Sequence, residues 1–220
     1  MTSTVVLVVR HTDVHNPGNV FYGRLPRFRL SRLGEEQAER TAAYLADVPI
    51  SAVYTSPQLR ARQTARIIAR RHPETPIRVS RLLSEVRTSW QGTCFSKLSS
   101  YVNIYELPKE PGDETIPQIF ARMSRLLRQV VRRHQGQTVV CVSHADPIMI
   151  LRAGSLGLEP KLANVRGPDY PEKGSITRFE FVPGDARPRI GYVDVGRLCV
   201  GAGSGPRIRY NPMYGGPGPI

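Results

Sequence analysis

Lysine is nearly missing from this chain: only Lys97, Lys109, Lys161 and Lys173 among its 31 basic residues are lysine, and the rest are arginine. Cysteine is scarce as well. Cys94, Cys141 and Cys199 are odd in number, widely spaced and form no C-x-x-C pair, which speaks against a disulfide framework and a zinc site. No apolar run approaches the ~20 residues of a membrane-spanning helix. Met1-Thr2-Ser3-Thr4 leads into an apolar strand pattern with no basic leader and no cleavage site, so the expectation is a cytoplasmic protein without membrane association. Aromatic residues interleave poorly with the basic ones, so nucleic acid is not the expected partner.

With 220 residues, 40% of them hydrophobic and 22% charged, the chain has room for one well-packed domain. The net charge of +13 favours anionic partners, because arginine grips phosphate oxygens in pairs and keeps its charge. That charge is scattered along the chain instead of forming a stripe or tail. It suits small anionic substrates drawn into a cleft, although genome composition or a heat-adapted surface would leave the same excess.

Thr4 to Val9 is a continuous, β-branched apolar run, the pattern of a strand buried on both faces. Ser31 can cap a helix carrying Leu33, Ala38, Ala42 and Leu45. Ile50 to Tyr54 reads as a second strand, Ser56-Pro57 as a cap plus first-turn proline opening a helix through about Arg71, and Ile77 to Val79 as a short strand. The spacing of Ile116, Ile119, Phe120, Met123, Leu126, Leu127, Val130 and Val131 predicts a helix over 115–134. Thr138 to Val142 is another buried strand, after which Asp146-Pro147 repeats the cap-plus-proline signal. Residues 176–182 and 189–195 can pair as a hairpin across Pro183-Gly184-Asp185. The alternation predicts a three-layer α/β/α sandwich around a mostly parallel sheet. Residues 1–200 are expected to form a single domain with a small irregular insertion at about 93–112. Residues 201–220, ten of which are Gly or Pro, read as a loose tail.

Sites in open α/β sheets form beyond the carboxyl ends of the strands. Two apolar strands here end in histidine, as Arg10-His11 and Ser143-His144. A third runs into Ser56-Pro57-Gln58-Leu59-Arg60, and Glu85 follows the short strand. Two imidazoles, two guanidinium groups and a carboxylate at one sheet edge suit phosphoryl transfer, where positioning and charge stabilisation dominate. In this reading neutral His11 is the nucleophile, with its other ring nitrogen held by a backbone carbonyl. Arg10 and Arg60 clamp the phosphoryl oxygens and His144 donates to them. Glu85 protonates the leaving oxygen and then serves as base for water. Neither a metal nor a cofactor is required.

The same residues resemble the signatures of the histidine phosphatase superfamily, which includes the phosphoglycerate mutases. Arg10-His11-Thr12 is similar to R-H-G, and Leu30-Ser31-x-x-Gly34-x-x-Gln37-Ala38 to L-[ST]-x-x-G-x-x-Q-A. Ser56-x-x-x-Arg60-Ala61-x-Gln63-Thr64-Ala65, Leu82-x-x-Glu85, Trp90-Gln91-Gly92, Pro111 to Thr115 and Val140-x-Val142-Ser143-His144 follow in the family's order. Together they span roughly residues 4–182. The resemblance implies a phosphoglycerate mutase-like fold, a phosphorylated His11, Arg10, Arg60 and His144 around the phosphate, and Glu85 as acid and base. It also places Asn16 near the phosphate, as a family asparagine in this loop is.

The pattern breaks in places. Thr12 replaces a glycine and Asp13 a glutamate, Asn16 sits one residue nearer to His11, and Trp90 one residue nearer to Glu85. Ala145-Asp146-Pro147 stands where two glycines usually follow the second histidine. The interval from Glu85 to His144 is short, which leaves a phosphoenzyme open to water and favours hydrolysis over phosphate return. The expectation is therefore a metal-independent phosphomonoesterase acting on a small phosphorylated metabolite. A mutase is the second reading, and a non-catalytic anion- or nucleic-acid-binding module the third. A homodimer is left open. His15, His72 and His134 are read as loop or surface residues and Trp90 as packing.

Overall fold

The computed structural model describes residues 2–97, 104–105, 110–159, 161–165 and 170–198. The tail at 201–220 and part of the 93–112 segment lie outside the described residues. In chain order the elements are β1 (Thr4–Arg10), α1 (Arg32–Tyr44), β2 (Ile50–Thr55), α2 (Leu59–Ala69), β3 (Ile77–Val79), α3 (Ile116–Arg133), β4 (Thr138–Ser143), α4 (Ala145–Ser155), α5 (Leu162–Val165), β5 (Ile176–Phe181), β6 (Arg189–Val193) and α6 (Val195–Leu198). Single 3-10 turns lie at Arg81–Leu83 and Phe95–Lys97.

The six strands form one sheet in the order β3-β2-β4-β1-β5-β6. The pairs β3/β2, β2/β4 and β4/β1 are parallel, and the hairpin β5/β6 joins β1 antiparallel. Period-two alternation sends each central strand into two cores. Val6, Val8, Val139 and Cys141 pack with Ile119 and Met123 of α3 and Ile148 and Leu151 of α4. Leu7, Val9, Val140 and Val142 pack with Ala38 and Ala42 of α1 and Ala61, Ala65 and Ile68 of α2. Burial on both faces explains why β1 and β4 are written as unbroken apolar runs. The expected α/β/α sandwich is therefore present, with a mixed sheet that is largely parallel.

The 115–134 helix starts as its sequence suggests. Thr115 accepts from the Gln118 amide while the Gln118 side chain accepts from the Thr115 amide, so two otherwise unpaired donors are satisfied reciprocally. Two other helix starts differ from expectation. α2 begins at Leu59, with Gln58 at the cap position and Ser56 and Pro57 outside the helix. α4 begins at Ala145, with His144 at the cap position and Asp146 inside the first turn. In both cases the side chain expected to cap has a partner from elsewhere: Ser56 bonds Gln58 and His144, and Asp146 accepts from Tyr105 and Tyr170.

The register fixes what leaves the sheet edge. Arg10 pairs with Ser143 and Thr55 with Val142. The ladder continues one residue further, since the His11 amide donates to Ser143 O at 2.9 Å and the Ser56 amide to Val142 O at 3.0 Å. His11, Ser56 and His144 thus emerge side by side.

Candidate active site

The turn after β1 is held by the two helices packed beneath it. Ser31 caps α1 by accepting from the Gly34 amide at 3.0 Å and donates its hydroxyl to Asp13 at 2.6 Å. The Gln37 side chain accepts the Asp13 amide at 2.9 Å. A Cβ on Gly34 would stand 2.0 Å from the Asp13 carbonyl oxygen, so only glycine lets α1 approach this closely. From α2, Gln63 accepts the Leu30 amide at 2.9 Å and Thr64 accepts the Thr12 amide at 3.3 Å. Ser31, Gln37, Gln63 and Thr64 of the two helical signatures therefore each satisfy a backbone donor of the loop or cap that flanks His11.

His11 is 2% exposed. Its Nδ1 donates to Thr12 O at 2.8 Å, and because a carbonyl can only accept, the lone pair of the neutral ring lies on Nε2. Arg60 Nε donates into that lone pair at 3.2 Å. The Arg60 side chain is fully buried, its Nη2 donates to Gly23 O at 2.7 Å and to His144 Nδ1 at 3.2 Å, and its guanidinium lies 4.5 Å from the centre of the Tyr22 ring. Its Nη1 is buried with no hydrogen-bond partner among the described residues.

Since His144 Nδ1 accepts from Arg60, its Nε2 carries the proton and donates to Ser56 Oγ at 2.7 Å, with Gln58 Oε1 at 3.2 Å. The two imidazoles meet edge to face, 5.0 Å between centres. Glu85 closes the ring of groups: its Oε2 is 3.5 Å from His144 Nδ1 and 3.7 Å from Arg60 Nη2. The Glu85 carbonyl is held by Arg24 at 2.7 Å and Arg122 at 3.3 Å. Both arginines also converge on Glu114 at 2.8 Å. Arg10 stands at the rim. Its guanidinium donates to Pro171 O and lies 5.4 Å from the centre of the Tyr170 ring, while its Nε has no hydrogen-bond partner among the described residues.

Asn16, expected near the phosphate, makes its hydrogen bonds within its own loop. Both ends of its amide are engaged by Val20, which donates at 3.2 Å and accepts at 2.9 Å, so the side chain is committed to bracing its own loop. His134, expected at the surface, is buried at the opposite end of the sheet among Ser51, Tyr54 and Gln137. Trp90 packs against the α3/α4 core as expected.

Burial sets the charges. Desolvation, reinforced by Arg60 and Arg10, holds His11 well below the ordinary histidine pKa, and desolvation with Arg60 does the same to His144. Both rings are neutral at physiological pH. Desolvation pushes Glu85 upward; Arg60 opposes this and the Asp146 carboxylate adds to it. An imidazole that stays deprotonated thus stands beside a carboxyl group inclined to keep its proton.

His11, Glu85 and His144 also offer ligand atoms within 4.8 Å of one another, the spacing of a metal triad. Arg60 argues against that use. Its Nε and Nη2 occupy both imidazole nitrogens a cation would need, and its positive charge lies in the same spot. The set accommodates an anion far better than a cation.

Four contributors escape sequence reasoning. Tyr22 and the Gly23 carbonyl look like ordinary loop residues, and Ser56 with Gln58 looks like a helix cap. The hydrogen bond that His144 donates to Ser56 has no signature in the chain.

Residues 6–189 match the model of the histidine phosphatase superfamily, branch 1. The chain is 36% identical over 159 residues to the uncharacterized protein Rv0525 of Mycobacterium tuberculosis, covering 68% of this chain and 77% of that one. It is 28% identical to phosphoserine phosphatase 1 of Hydrogenobacter thermophilus over 70% of this chain and 77% of that protein. Among solved structures, YhfR of Bacillus stearothermophilus superposes with a TM-score of 0.73 at 25% identity, over 82% of this chain and 93% of that one. A mycobacterial glucosyl-3-phosphoglycerate phosphatase superposes at 0.70 with 23% identity, over 81% and 90% of the two chains, and shows the shared fold. The chain belongs to the histidine phosphatase superfamily and is an enzyme of the phosphatase type.

Proposed function

We propose that the chain is a metal-independent phosphomonoesterase that hydrolyses a small phosphorylated metabolite through a phosphohistidine on His11. One observation carries this reading: a fully buried guanidinium, one N–H donor of which finds no partner among the described residues, stands between two neutral imidazoles. Its nearest acid, Glu85, stays at 3.7 Å. A buried cation with spare donors is costly unless an anion completes it.

In the reaction a phosphate monoester enters between Arg60 and His11, taking the donors that now point at the imidazoles. Arg10 and Arg60 hold the non-bridging oxygens, and His144 joins them once its proton sits on Nδ1 instead of Nε2, with the Ser56 hydroxyl then donating to Nε2. His11 Nε2 attacks phosphorus in line, its Nδ1–H fixed on Thr12 O. The bond to the ester oxygen breaks, and Glu85 gives its proton to that oxygen as the alcohol leaves. Water then attacks the phosphohistidine with Glu85 taking its proton, which frees phosphate and restores the ring. Asn16 takes no part while Val20 engages its amide.

The test is hydrolysis of p-nitrophenyl phosphate with EDTA present, using wild type and His11→Ala. Turnover that survives the chelator and vanishes in the variant supports the proposal. Turnover lost to EDTA, or retained without His11, refutes it. The short interval between Glu85 and His144 favours release to water. Transfer to 3-phosphoglycerate outpacing hydrolysis would turn the assignment to mutase.

A further inference from the structure

We infer that Asp146 and Tyr170 are positioning residues that set Arg10 against the phosphoryl group. The inference rests on the functional reading above and deepens it. Asp146 stands two residues beyond His144, where the family pattern has glycine, and it is only 6% exposed. Its two carboxylate oxygens are shared out: one accepts from the Tyr105 hydroxyl and the other from the Tyr170 hydroxyl. Desolvation, together with Asp146, raises the Tyr170 hydroxyl pKa, so it remains a donor.

Tyr170 in turn carries Arg10, whose guanidinium lies over its ring at 5.4 Å. The neighbouring backbone completes the brace. Pro171 O accepts from the Arg10 side chain, the Gly174 amide donates to Arg10 O at 3.1 Å, and the Arg10 amide donates to Ser175 O at 3.1 Å. A flexible arginine is thus pinned at its backbone, at one nitrogen and on one face, and its Nε is left without a hydrogen-bond partner among the described residues. A pre-set guanidinium gives up little rotamer freedom when it grips an anion. The carboxylate that orients it also ties α4, which follows His144, to the segment carrying Tyr170. Both grips on the phosphate therefore share one anchor.

The test is a double-mutant cycle read by two methods: inorganic phosphate affinity by calorimetry, and kcat/KM on p-nitrophenyl phosphate. Asp146→Asn and Tyr170→Phe keep the shape of each side chain and weaken or remove the shared bond. Each is introduced into wild type and into Arg10→Ala. In the wild-type background phosphate affinity falls about tenfold for Asp146→Asn and about threefold for Tyr170→Phe, the scale of a slightly misplaced group. In the Arg10→Ala background both losses shrink to less than twofold. Losses of equal size in the two backgrounds overturn the inference, because the pair would then act elsewhere. If Asp146→Asn does not fold, Tyr170→Phe decides alone. Normal phosphate binding and an intact cycle in a protein without His11-dependent turnover would retain the positioning role and sink the enzymatic reading. A wild type that binds no phosphate sinks both.

Discussion

Histidines are buried at both ends of this sheet, and the two settings could hardly be less alike. At the amino ends of β2 and β4, His134 sits among the Tyr54 hydroxyl at 3.1 Å, the Gln137 amide oxygen at 3.2 Å and Ser51 at 3.4 Å. Its partners are neutral and both ring nitrogens are engaged. At the carboxyl ends, His11 and His144 are buried as deeply, yet the group between them is a guanidinium with one donor unpartnered among the described residues. Burial of an imidazole therefore says little by itself. What separates a structural histidine from a chemical one is whether its neighbours are satisfied without a ligand.

The contrast can be broken by substitution. Glu85→Gln keeps the shape and removes the acid, and should lower hydrolysis of an alkyl phosphate on the order of 10²–10⁴-fold. Read as kcat/KM, which covers only the steps up to the phosphohistidine, the loss should be much smaller for p-nitrophenyl phosphate, whose leaving group needs no proton; equal losses in kcat/KM for the two substrates would remove Glu85 from the acid role. Arg60→Ala should cost on the order of 10²–10³ in kcat, as deletion of a transition-state donor does. Steady-state rates and a folding check by circular dichroism would show it, and a loss below tenfold would contradict the clamp.

The pH profile sharpens the comparison. His11 must be neutral to attack and Glu85 protonated to donate. Activity on an alkyl phosphate, corrected for substrate ionisation, should therefore rise with pH through the His11 pKa, which burial and Arg60 place well below 6.5. It should fall again through the Glu85 pKa, which burial places above 4.5. The descending limb should vanish in Glu85→Gln; its persistence there would assign the limb to another group. At the far end of the sheet, His134→Leu should leave kcat within about twofold of wild type. It should lower stability by ~1–3 kcal/mol in urea titration, because hydroxyl and amide partners in a buried site are left unpaired.

How much of this was legible beforehand follows from where each signal resides. His11 and His144 end apolar strands, so a local pattern plus the rule about strand ends finds them. Gly34, Gln37, Gln63 and Thr64 stand at fixed spacings because each satisfies or admits one piece of backbone around His11. Ser56 and Asp146 misled, since Ser-Pro and Asp-Pro signal helix caps and nothing local reveals that His144 and two tyrosines claim those side chains. The hub of Arg24, Arg122 and Glu114 behind Glu85 draws on three separate stretches, and although Glu114 lies in the family-like Pro111 to Thr115 segment, nothing local names its two arginine partners. Asn16 nearly matches the family position, and in a loop altered by one residue its amide bonds Val20, a contact that nothing local in the sequence signals.

The most direct measurement of the central claim is rapid acid-free quenching of the enzyme during turnover, followed by 31P NMR and mass analysis of the protein. The account predicts a base-stable, acid-labile phosphoryl group on the peptide containing His11, absent from His11→Ala. A wild type that turns over substrate without ever carrying phosphate there, or carries it on another residue, would contradict it.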